Sequence, residues 1–278
     1  MATIMYGKGI AEMIKKSVEV TIEKLEAEPK LAIITIGNSD AADVYNRGKH
    51  KDCNECGIKY RDIIMQETID TDGVIHRIKY LRNRYDGVIL NTPIPKHLNY
   101  AKIAESIDVK QDVDGVTPSN IGKLLLNTDG LVPCTPMAVI YMLEYYGIKI
   151  EGKKCVVIGR SNIVGKPMAL MMTHKNATVT MCHTKTEGLS DITKEADILI
   201  SAAGVANLVT SDMVKDGAVV IDIGINRNSD GAVVGDVDFE NVKEKASFIT
   251  PVPGGVGVVT RAVLMENIMK AHMRRLEK

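Results

Sequence analysis

The chain has 278 residues, 45% of them hydrophobic and 25% charged, and its 35 Lys and Arg residues balance its 35 Asp and Glu residues. A length of this order suggests two domains at roughly 100–200 residues each, and the absence of net charge argues against a nucleic-acid or anionic-membrane partner. We expect a cytoplasmic protein, because no apolar run approaches the ~20 residues of a membrane span and the N-terminus lacks a signal-peptide pattern.

The five cysteines, an odd and scattered number, favour free thiols in a reducing compartment. Cys53 and Cys56 form a C-x-x-C motif, but a structural zinc site needs a second pair of ligands, and a thioredoxin-like motif follows a strand. Here the motif falls late in a predicted helix, so we interpret it as two small residues on one helix. No metal-ligand spacing appears elsewhere, and we expect no metal.

Helices and strands alternate through the first half of the chain. The spacing of apolar residues from Ile10 to Leu25 predicts an amphipathic helix. Strands are predicted at 31–36, 58–65 and 87–90, with helices between them to about residue 55 and over 71–84. Strands that alternate with helices indicate parallel β-α-β units.

A second α/β series follows a junction at residues 131–136. Thr135 can cap a helix and Pro136 suits its first turn, and this helix stops before Gly147. Strands are predicted at 154–158, 177–181, 197–201 and 218–223, and a last helix runs to about Leu276. The expected fold class is α/β with two domains. The first covers residues 1–135, with a C-terminal helix over 258–278 packing back on it, and the second is a Rossmann-like parallel-sheet domain over 136–257.

The strand at 154–158 runs directly into a glycine-containing turn and an apolar helix. The turn reads Gly-Arg-Ser-Asn-Ile-Val-Gly from Gly159 to Gly165. A helix N-terminus behind such a turn binds phosphate, because its free N–H groups and its dipole face the anion. Ser161 stands where the usual dinucleotide motif has a second glycine, so this segment alone fits an ordinary β-α turn equally well.

The end of the next strand favours NADP over NAD. An NAD site usually has Asp or Glu there, which accepts a hydrogen bond from the ribose hydroxyl. This strand ends instead in His183, Thr184 and Lys185, and Arg160 lies in the preceding turn. Cations and hydrogen-bond donors suit a ribose 2′-phosphate.

A candidate catalytic lysine lies on the second predicted helix. Tyr45 and Lys49 are four residues apart and share a helix face. Burial and the neighbouring cations Arg47 and Lys51 favour a neutral amine, which can act as a base near pH 7. By itself, however, the pattern is more typical of a solvated basic face.

Three further segments are candidates for the site. Asp114 precedes Gly115 and is either a functional carboxylate or a turn residue. Asn91 begins a segment at the carboxyl end of a strand, where ligands bind in open α/β sheets. The loop from Pro251 to Gly257 contains three glycines and two prolines, which permit a close backbone approach to a flat ligand.

Together these segments resemble the bifunctional methylenetetrahydrofolate dehydrogenase/cyclohydrolase family over nearly the whole chain. Each motif is weak alone, but the ordered set is specific. In chain order the matching segments are Tyr45-x-x-x-Lys49-x-Lys51, Gly57-Ile58, Thr92–Pro95, Asp112–Gly115, Pro133–Pro136, Gly159–Pro167, Asp222–Asn226, Val234–Val237 and Pro251–Gly257.

The resemblance implies an enzyme that oxidises 5,10-methylenetetrahydrofolate with NADP and hydrolyses the product to 10-formyltetrahydrofolate. It also implies a homodimer, with the folate in a cleft between domains. Lys49 is implied as the catalytic lysine, Tyr45 as a residue stacked near the folate ring and Asp114 as the carboxylate that holds the pterin. The implied cofactor contacts are Gly159, Arg160, Ser161, Gly165, Thr184 and Ile225, and further substrate contacts are Pro253, Gly254 and Gly255.

Two positions depart from the family pattern. Asn91 replaces a glutamine that assists the lysine, and its side chain is shorter by one methylene group, so the hydrolytic step is the one at risk. Gly257-Val-Val-Thr260 replaces Gly-Pro-Met-Thr, with little expected consequence. Three alternatives stay open: an amino-acid or shikimate-type NADP oxidoreductase, a catalytically silent folate- or nucleotide-binding protein, and a dehydrogenase that lacks hydrolysis.

Overall fold

The computed structural model describes residues 1–37 and 40–277, and the side chains of residues 40–45 lie outside that description. The chain forms two compact units. The first unit consists of Glu12–Cys134 with Arg261–Lys278, and the second of Met1–Ala11 with Thr135–Thr260. Within the described residues, no helix combines the length and the apolar character that crossing a bilayer requires.

The elements alternate as the sequence predicts. The strands are β1 (Thr3–Ile4), β2 (Lys30–Ile36), β3 (Lys59–Met65), β4 (Gly87–Leu90), β5 (Lys154–Ile158), β6 (Thr178–Cys182), β7 (Ile198–Ser201), β8 (Val219–Asp222), β9 (Asn226–Arg227), β10 (Val233–Val234) and β11 (Phe248–Ile249). The helices are α1 (Lys8–Leu25), α2 (Asp40–Cys56), α3 (Thr71–Leu81), α4 (Tyr100–Ser106), α5 (Pro118–Leu125), α6 (Cys134–Tyr145), α7 (Gly165–His174), α8 (Leu189–Thr193), α9 (Phe239–Val242) and α10 (Val256–Leu276), with a 3₁₀ turn at Ser211–Met213.

The first unit is built on a three-stranded parallel sheet in the order β3-β2-β4. The central strand β2 is buried from Leu31 to Ile36, as expected when helices cover both faces of a parallel sheet. Ile34 belongs to a core that also contains Ile78 of α3 and Ile103 of α4. This packing fixes the carboxyl ends of β2 and β4 next to each other.

The second unit contains a six-stranded parallel sheet in the order β1-β11-β8-β7-β5-β6. From β5 the chain passes to β6 on one side and then returns to β7 on the other side. The strand order therefore reverses between β5 and β7. Ligands of open α/β sheets bind outside the carboxyl ends of the strands at such a point.

The N-terminal residues differ from the sequence-based division. The sequence places residues 1–135 in the first domain, whereas the structure groups residues 1–11 with the second unit. The reason is the short strand β1, which pairs in parallel with β11, with Thr3 opposite Phe248. Two-residue strands that pair across most of the chain have no local pattern that predicts them.

Candidate active site

Helix α2 and strand β4 bring Lys49 and Asn91 together in the first unit. Lys49 is only 3% exposed, and its Nζ donates a hydrogen bond of 2.5 Å to Asn91 Oδ1. Asn91 directly follows β4, and its backbone N–H continues the sheet by donating to Ile34 O at 2.9 Å. Tyr45 lies on the same helix, but its side chain lies outside the described residues.

The Asn91 amide is fixed on its other side as well. Its Nδ2 donates to Thr35 Oγ1 at 2.8 Å and to Asn46 Oδ1 at 3.0 Å. The shorter side chain at position 91 therefore does reach the lysine. The shorter reach that placed the hydrolytic step at risk therefore leaves no gap between these two side chains.

Burial controls the ionisation of Lys49. The protein packed around its amine lowers the pKa of Lys49, and the nearby Asp114 carboxylate partly opposes this shift. The two cations that the sequence suggests as neighbours, Arg47 and Lys51, have exposed side chains, and Lys51 lies 3.7 Å from Glu55. Desolvation rather than cationic repulsion is thus the main reason why the pKa of Lys49 is lowered.

Asp114 is the second ionisable group at this site. Asp114 as a whole residue is partly exposed, but its carboxyl group is surrounded by protein. This burial raises the pKa of Asp114, and the nearby Lys49 opposes the shift. Each group therefore holds the other nearer to its charged form. A buried amine and a carboxyl group in electrostatic contact suit a substrate with polar N–H groups beside a reacting carbon.

The turn that presents Asp114 is built by Asp112. The Asp112 carboxylate is fully buried and accepts hydrogen bonds from Thr117 N at 2.8 Å, Thr117 Oγ1 at 2.7 Å and Asn120 Nδ2 at 2.8 Å. Gly115 has φ +68°, and a Cβ there would lie 2.3 Å from Val132 C. Asp112 is therefore a structural residue, and Asp114 is the carboxylate of this motif that interacts with Lys49.

Helix α10 and Cys134 support the same turn. Asn267 is 1% exposed, and its Nδ2 donates to Val113 O and to Val132 O, both at 2.9 Å. The Cys134 thiol donates to Val113 O at 3.3 Å, and a separate hydrogen bond between the Cys134 side chain and Asp114 partly opposes the burial that raises the pKa of Asp114. Because Asp114 follows Val113 directly, these contacts restrict where its carboxylate can lie.

The second unit forms a tight turn between β5 and α7. Gly159 has φ +124°, and a Cβ there would lie 2.4 Å from Ala202 O. A Cβ on Gly165 would lie 2.2 Å from Gly159 O. Ser161 Oγ accepts from Val164 N at 3.1 Å and from Gly165 N at 3.2 Å. Backbone packed this closely leaves no room for side chains at positions 159 and 165, as in the glycine turns of dinucleotide-binding folds.

The residues expected to contact NADP lie at the carboxyl ends of neighbouring strands. Arg160 and Ser161 follow β5, Thr184 follows β6 and Ile225 follows β8, and all four are exposed. Ile225 is 67% exposed, which is unusual for an isoleucine on a small loop. His183 is partly used within its own turn, because Lys185 N donates to its Nδ1 at 3.1 Å. Arg160, Thr184 and Lys185 remain as exposed donors.

Asp236 joins the loops that follow β7 and β8. It is fully buried and accepts hydrogen bonds from Ala203 N at 2.7 Å, Val205 N at 2.9 Å and Asn226 Nδ2 at 2.9 Å. Asp222 lies beside it and accepts from Asp236 N at 3.0 Å. These two carboxylates hold the backbone next to the glycine turn.

The loop from Pro251 to Gly257 is also shaped by backbone contacts. Gly254 has φ +104°, and a Cβ on the buried Gly255 would lie 2.5 Å from Pro251 O. Pro253 at the tip of this loop is exposed.

Family comparisons agree with this arrangement. The catalytic domain of the tetrahydrofolate dehydrogenase/cyclohydrolase family matches residues 5–114, and the NAD(P)-binding domain of that family matches residues 133–276. The chain belongs to this family. The bifunctional protein FolD of Agathobacter rectalis is 46% identical over 279 residues, which cover 99% of this chain and 100% of that protein.

Solved structures of relatives have the same fold. The bifunctional FolD enzyme of Campylobacter jejuni is 43% identical, with a TM-score of 0.95, and the match covers 99% of this chain and 100% of that one. The methylenetetrahydrofolate dehydrogenase-cyclohydrolase of Trypanosoma brucei, solved with NADP and an inhibitor, is 31% identical, with a TM-score of 0.95 over 100% of this chain and 99% of that one.

Sequence reasoning missed several residues that build these sites. Thr35 and Asn46 hold Asn91, Asn267 holds the turn before Asp114, and Asp236 holds the loops near the nucleotide turn. Cys134 and Asp236 lie inside motifs that carry the family resemblance, which is a signal that could have found them. Asn46 lies inside the segment Tyr45-x-x-x-Lys49, but at a position that the motif leaves unspecified. Thr35 and Asn267 lie in no motif, because only the tertiary structure brings them to their partners.

Proposed function

We propose that this chain oxidises 5,10-methylenetetrahydrofolate to the 5,10-methenyl cation with NADP as the hydride acceptor, and then hydrolyses that cation to 10-formyltetrahydrofolate. Membership of the tetrahydrofolate dehydrogenase/cyclohydrolase family supports both reactions. The observation that carries the hydrolytic half is the buried Lys49 amine, which is hydrogen-bonded to Asn91 and electrostatically coupled to Asp114.

The second unit is proposed to bind NADP. When bound, NADP supplies a nicotinamide ring that accepts the hydride. Gly159 and Gly165 allow the backbone to approach the phosphates, as the contacts of their missing Cβ atoms indicate. Ser161, Thr184 and Ile225 are proposed to contact the rest of the cofactor, and the exposed Arg160 guanidinium to pair with the ribose 2′-phosphate.

The folate ring system is proposed to bind at Asp114. An ionised carboxylate can accept two hydrogen bonds from the adjacent N–H donors of a pterin, and Lys49 favours the ionised form of Asp114. Tyr45 is proposed to stack near the ring. Pro253, Gly254 and Gly255 are proposed as further substrate contacts, since their loop offers closely packed backbone.

Lys49 is proposed to act first as a base and then as an acid in the hydrolytic step. Water adds to the cationic methenyl carbon, and a neutral Lys49 amine takes the proton that this water loses, directly or through a second water. The carbon–N5 bond then breaks, and N5 keeps the electron pair and receives a proton from the Lys49 ammonium. The hydroxyl group on the former methenyl carbon loses its proton to solvent as the formyl C=O bond forms, which gives 10-formyltetrahydrofolate and one released proton. Burial is what makes a neutral lysine available for the first of these transfers.

A dehydrogenase that has lost hydrolysis is the second candidate, and the position of Asn91 disfavours it. The amide oxygen lies 2.5 Å from the Lys49 amine, so the polar partner of the lysine is retained. We also propose a homodimer, as the family resemblance implies, and a location in the cytoplasm.

The proposal is tested by an assay that follows formation and disappearance of the methenyl compound at separate wavelengths. We expect methenyl formation that requires NADP, and disappearance of supplied methenyl compound that does not. Oxidation without any enzyme-dependent disappearance would leave only the dehydrogenase. Turnover of amino-acid or shikimate-type substrates in place of folate would replace the proposal altogether.

A further inference from the structure

Four buried polar side chains form one connected network around Lys49. Thr35 is 9% exposed, Asn46 7%, Lys49 3% and Asn91 9%. Thr35 lies on β2, Asn46 and Lys49 lie three residues apart on α2, and Asn91 directly follows β4. Residues three apart on a helix face the same way, so the two α2 side chains converge on the one amide between the strands.

The hydrogen bonds of the Asn91 amide have a fixed direction. Its oxygen accepts from the Lys49 amine, and its two N–H groups have two acceptors, the Thr35 hydroxyl and the Asn46 side-chain oxygen. If the amide turned over, its oxygen would face the Asn46 oxygen and its N–H₂ group would face the lysine. The first contact would bring two acceptors together, and the N–H₂ group could donate to Lys49 only while its amine is neutral, since a charged ammonium accepts nothing.

We infer that Thr35 and Asn46 are positioning residues for the hydrolytic step, which hold the Asn91 amide so that its oxygen, and not its nitrogen, faces Lys49. This inference rests on the proposed role of Lys49 as the proton carrier. It goes beyond that role because it assigns the control of the lysine to two residues that touch neither substrate nor cofactor in the proposed mechanism.

The shortened side chain at position 91 makes this support necessary. An asparagine amide close to its own backbone has few rotational states, so the partners of its nitrogen decide which way its oxygen points. Without acceptors for both N–H groups, a buried amide would leave donors unsatisfied, and turning over would cost little. By accepting hydrogen bonds from both N–H groups, Thr35 and Asn46 disfavour the reversed orientation of the Asn91 amide.

The orientation of the amide affects the charge of Lys49. An amide oxygen at the amine stabilises the ammonium form, whereas an N–H₂ group there disfavours it. Among the described side chains, titratable groups that also act on this amine are Asp114 of the turn before α5, Cys53 of α2, Asp62 of β3 and Cys134 at the start of α6. Substitutions at positions 35 and 46 alter none of these four groups. A change in the pKa of Lys49 in those variants would therefore indicate that the Asn91 amide has changed its orientation.

The test compares Thr35→Val, Thr35→Ser and Asn46→Leu by their pH profiles for hydrolysis of supplied methenyltetrahydrofolate and by their dehydrogenase rates. Val and Leu remove an acceptor at nearly constant volume, and Ser keeps the hydroxyl. We expect each removal to lower kcat for hydrolysis by roughly tenfold, and the double variant Thr35→Val/Asn46→Leu by roughly a hundredfold. Dehydrogenase kcat should stay within about threefold, since the hydride step needs alignment more than proton transfer.

Two readouts separate positioning from a loss of folding. The acidic limb of the pH profile for hydrolysis should move to lower pH in Thr35→Val and Asn46→Leu. Thr35→Ser should keep both the rate and the position of this limb close to those of the parent enzyme. A Thr35→Val enzyme with an unmoved limb, or with equal losses in both activities, would overturn the inference. So would a Thr35→Ser enzyme as impaired as Thr35→Val.

The parent enzyme and Lys49→Met serve as references for the proposed function itself. If the parent does not hydrolyse the methenyl compound, or if Lys49→Met hydrolyses it normally, the role of the lysine is wrong. If those two controls behave as proposed and the variants at 35 and 46 do not, only the inference on positioning fails.

Discussion

The two units place their candidate residues in opposite environments. In the first unit, Lys49 and Asn91 are buried and held by side-chain hydrogen bonds. In the second unit, Arg160, Thr184 and Ile225 are exposed, and the turn beneath them is shaped by backbone packed against glycine. A base needs burial because desolvation lowers the pKa of its amine, whereas a dinucleotide that binds and leaves is recognised by exposed groups on rigid backbone.

This difference predicts that the two activities can be broken independently. Changes among the buried side chains of the first unit should act on hydrolysis. Changes in the glycine turn of the second unit should act on the NADP-dependent oxidation. Supplying the methenyl compound directly makes the hydrolytic step measurable without the cofactor, so a defect in NADP binding can be distinguished from a defect at the folate site.

Replacing Lys49 should give the largest effect. Met has a similar length but no amine, so Lys49→Met should lower hydrolysis of the methenyl compound by roughly 10²–10⁴-fold, the usual contribution of a positioned acid–base group. The dissociation constant for NADP should not change. Decay of supplied methenyl compound and titration of NADP fluorescence measure the two quantities. Lys59→Met is the control, because Lys59 is an exposed lysine of β3 paired with Glu28; full hydrolysis by Lys49→Met would remove the lysine from the mechanism.

Gly165→Ala should have the next largest effect, on the other reaction. Its Cβ would lie 2.2 Å from Gly159 O, so the turn between β5 and α7 must open. We expect dehydrogenase kcat/KM to fall by roughly a hundredfold, as a misplaced reactant commonly causes, while hydrolysis of supplied methenyl compound persists. Gly122→Ala is the control, since a Cβ there meets nothing within 4 Å. Equal losses in both reactions would contradict the independence of the two sites.

The predictable part of the fold was the part with local patterns. Each central strand is a short run of buried aliphatic residues, as in β2 and β5, and such runs locate strands to within one or two residues. The strands β1 and β11 have two residues each and are defined by pairing across the chain. The hairpin of β9 and β10, and helix α5, also lacked a pattern strong enough to predict them.

The candidate site shows the same limit. Lys49, Asn91 and Asp114 lie in motifs that the sequence displays, and burial of Lys49 distinguishes it from a solvated basic residue. Of the residues that orient them, Thr35 and Asn267 lie in no motif, and Asn46 occupies an unspecified position of one. Asn46 is a polar residue on a helix, and its function becomes visible only when β4 brings the Asn91 amide within 3.0 Å. Tertiary contacts of this kind leave no trace in residue spacing.

The pH dependence of stability tests whether the buried Asp222 carboxyl group titrates as its environment indicates. Burial raises the pKa of Asp222 to about 6 from an ordinary value of 3.8. The unfolded chain therefore loses this proton at lower pH than the folded protein, and the stability contributed by this group falls as pH rises from about 4 to about 6. The shift corresponds to at most about 3 kcal/mol.

The measurement is the difference in thermal midpoint between the parent and Asp222→Asn at pH 4.0 and at pH 7.0, two values set roughly at the ends of that titration. We expect the parent to lose stability relative to the variant as pH rises. Asp197→Asn is the control and should give little change between these two pH values, because a hydrogen bond from Lys215 lowers the pKa of Asp197 below its ordinary 3.8, so that most of its titration lies below about pH 4. A parent–variant difference that does not change with pH would show that Asp222 does not titrate in this range.

Arg160→Ala should give the smallest effect, because Arg160 is an exposed contact whereas Lys49 is a buried one. A guanidinium that pairs with a 2′-phosphate in water contributes less than a buried pair, so we expect KM for NADP to rise by roughly tenfold. KM for NAD should hardly change, since NAD lacks that phosphate. Lys153→Ala is the matched control, because Lys153 precedes β5 at the opposite end of the strand. An equal rise for both cofactors would mean that Arg160 supports the turn itself, and the second unit would then depend on side chains as much as the first.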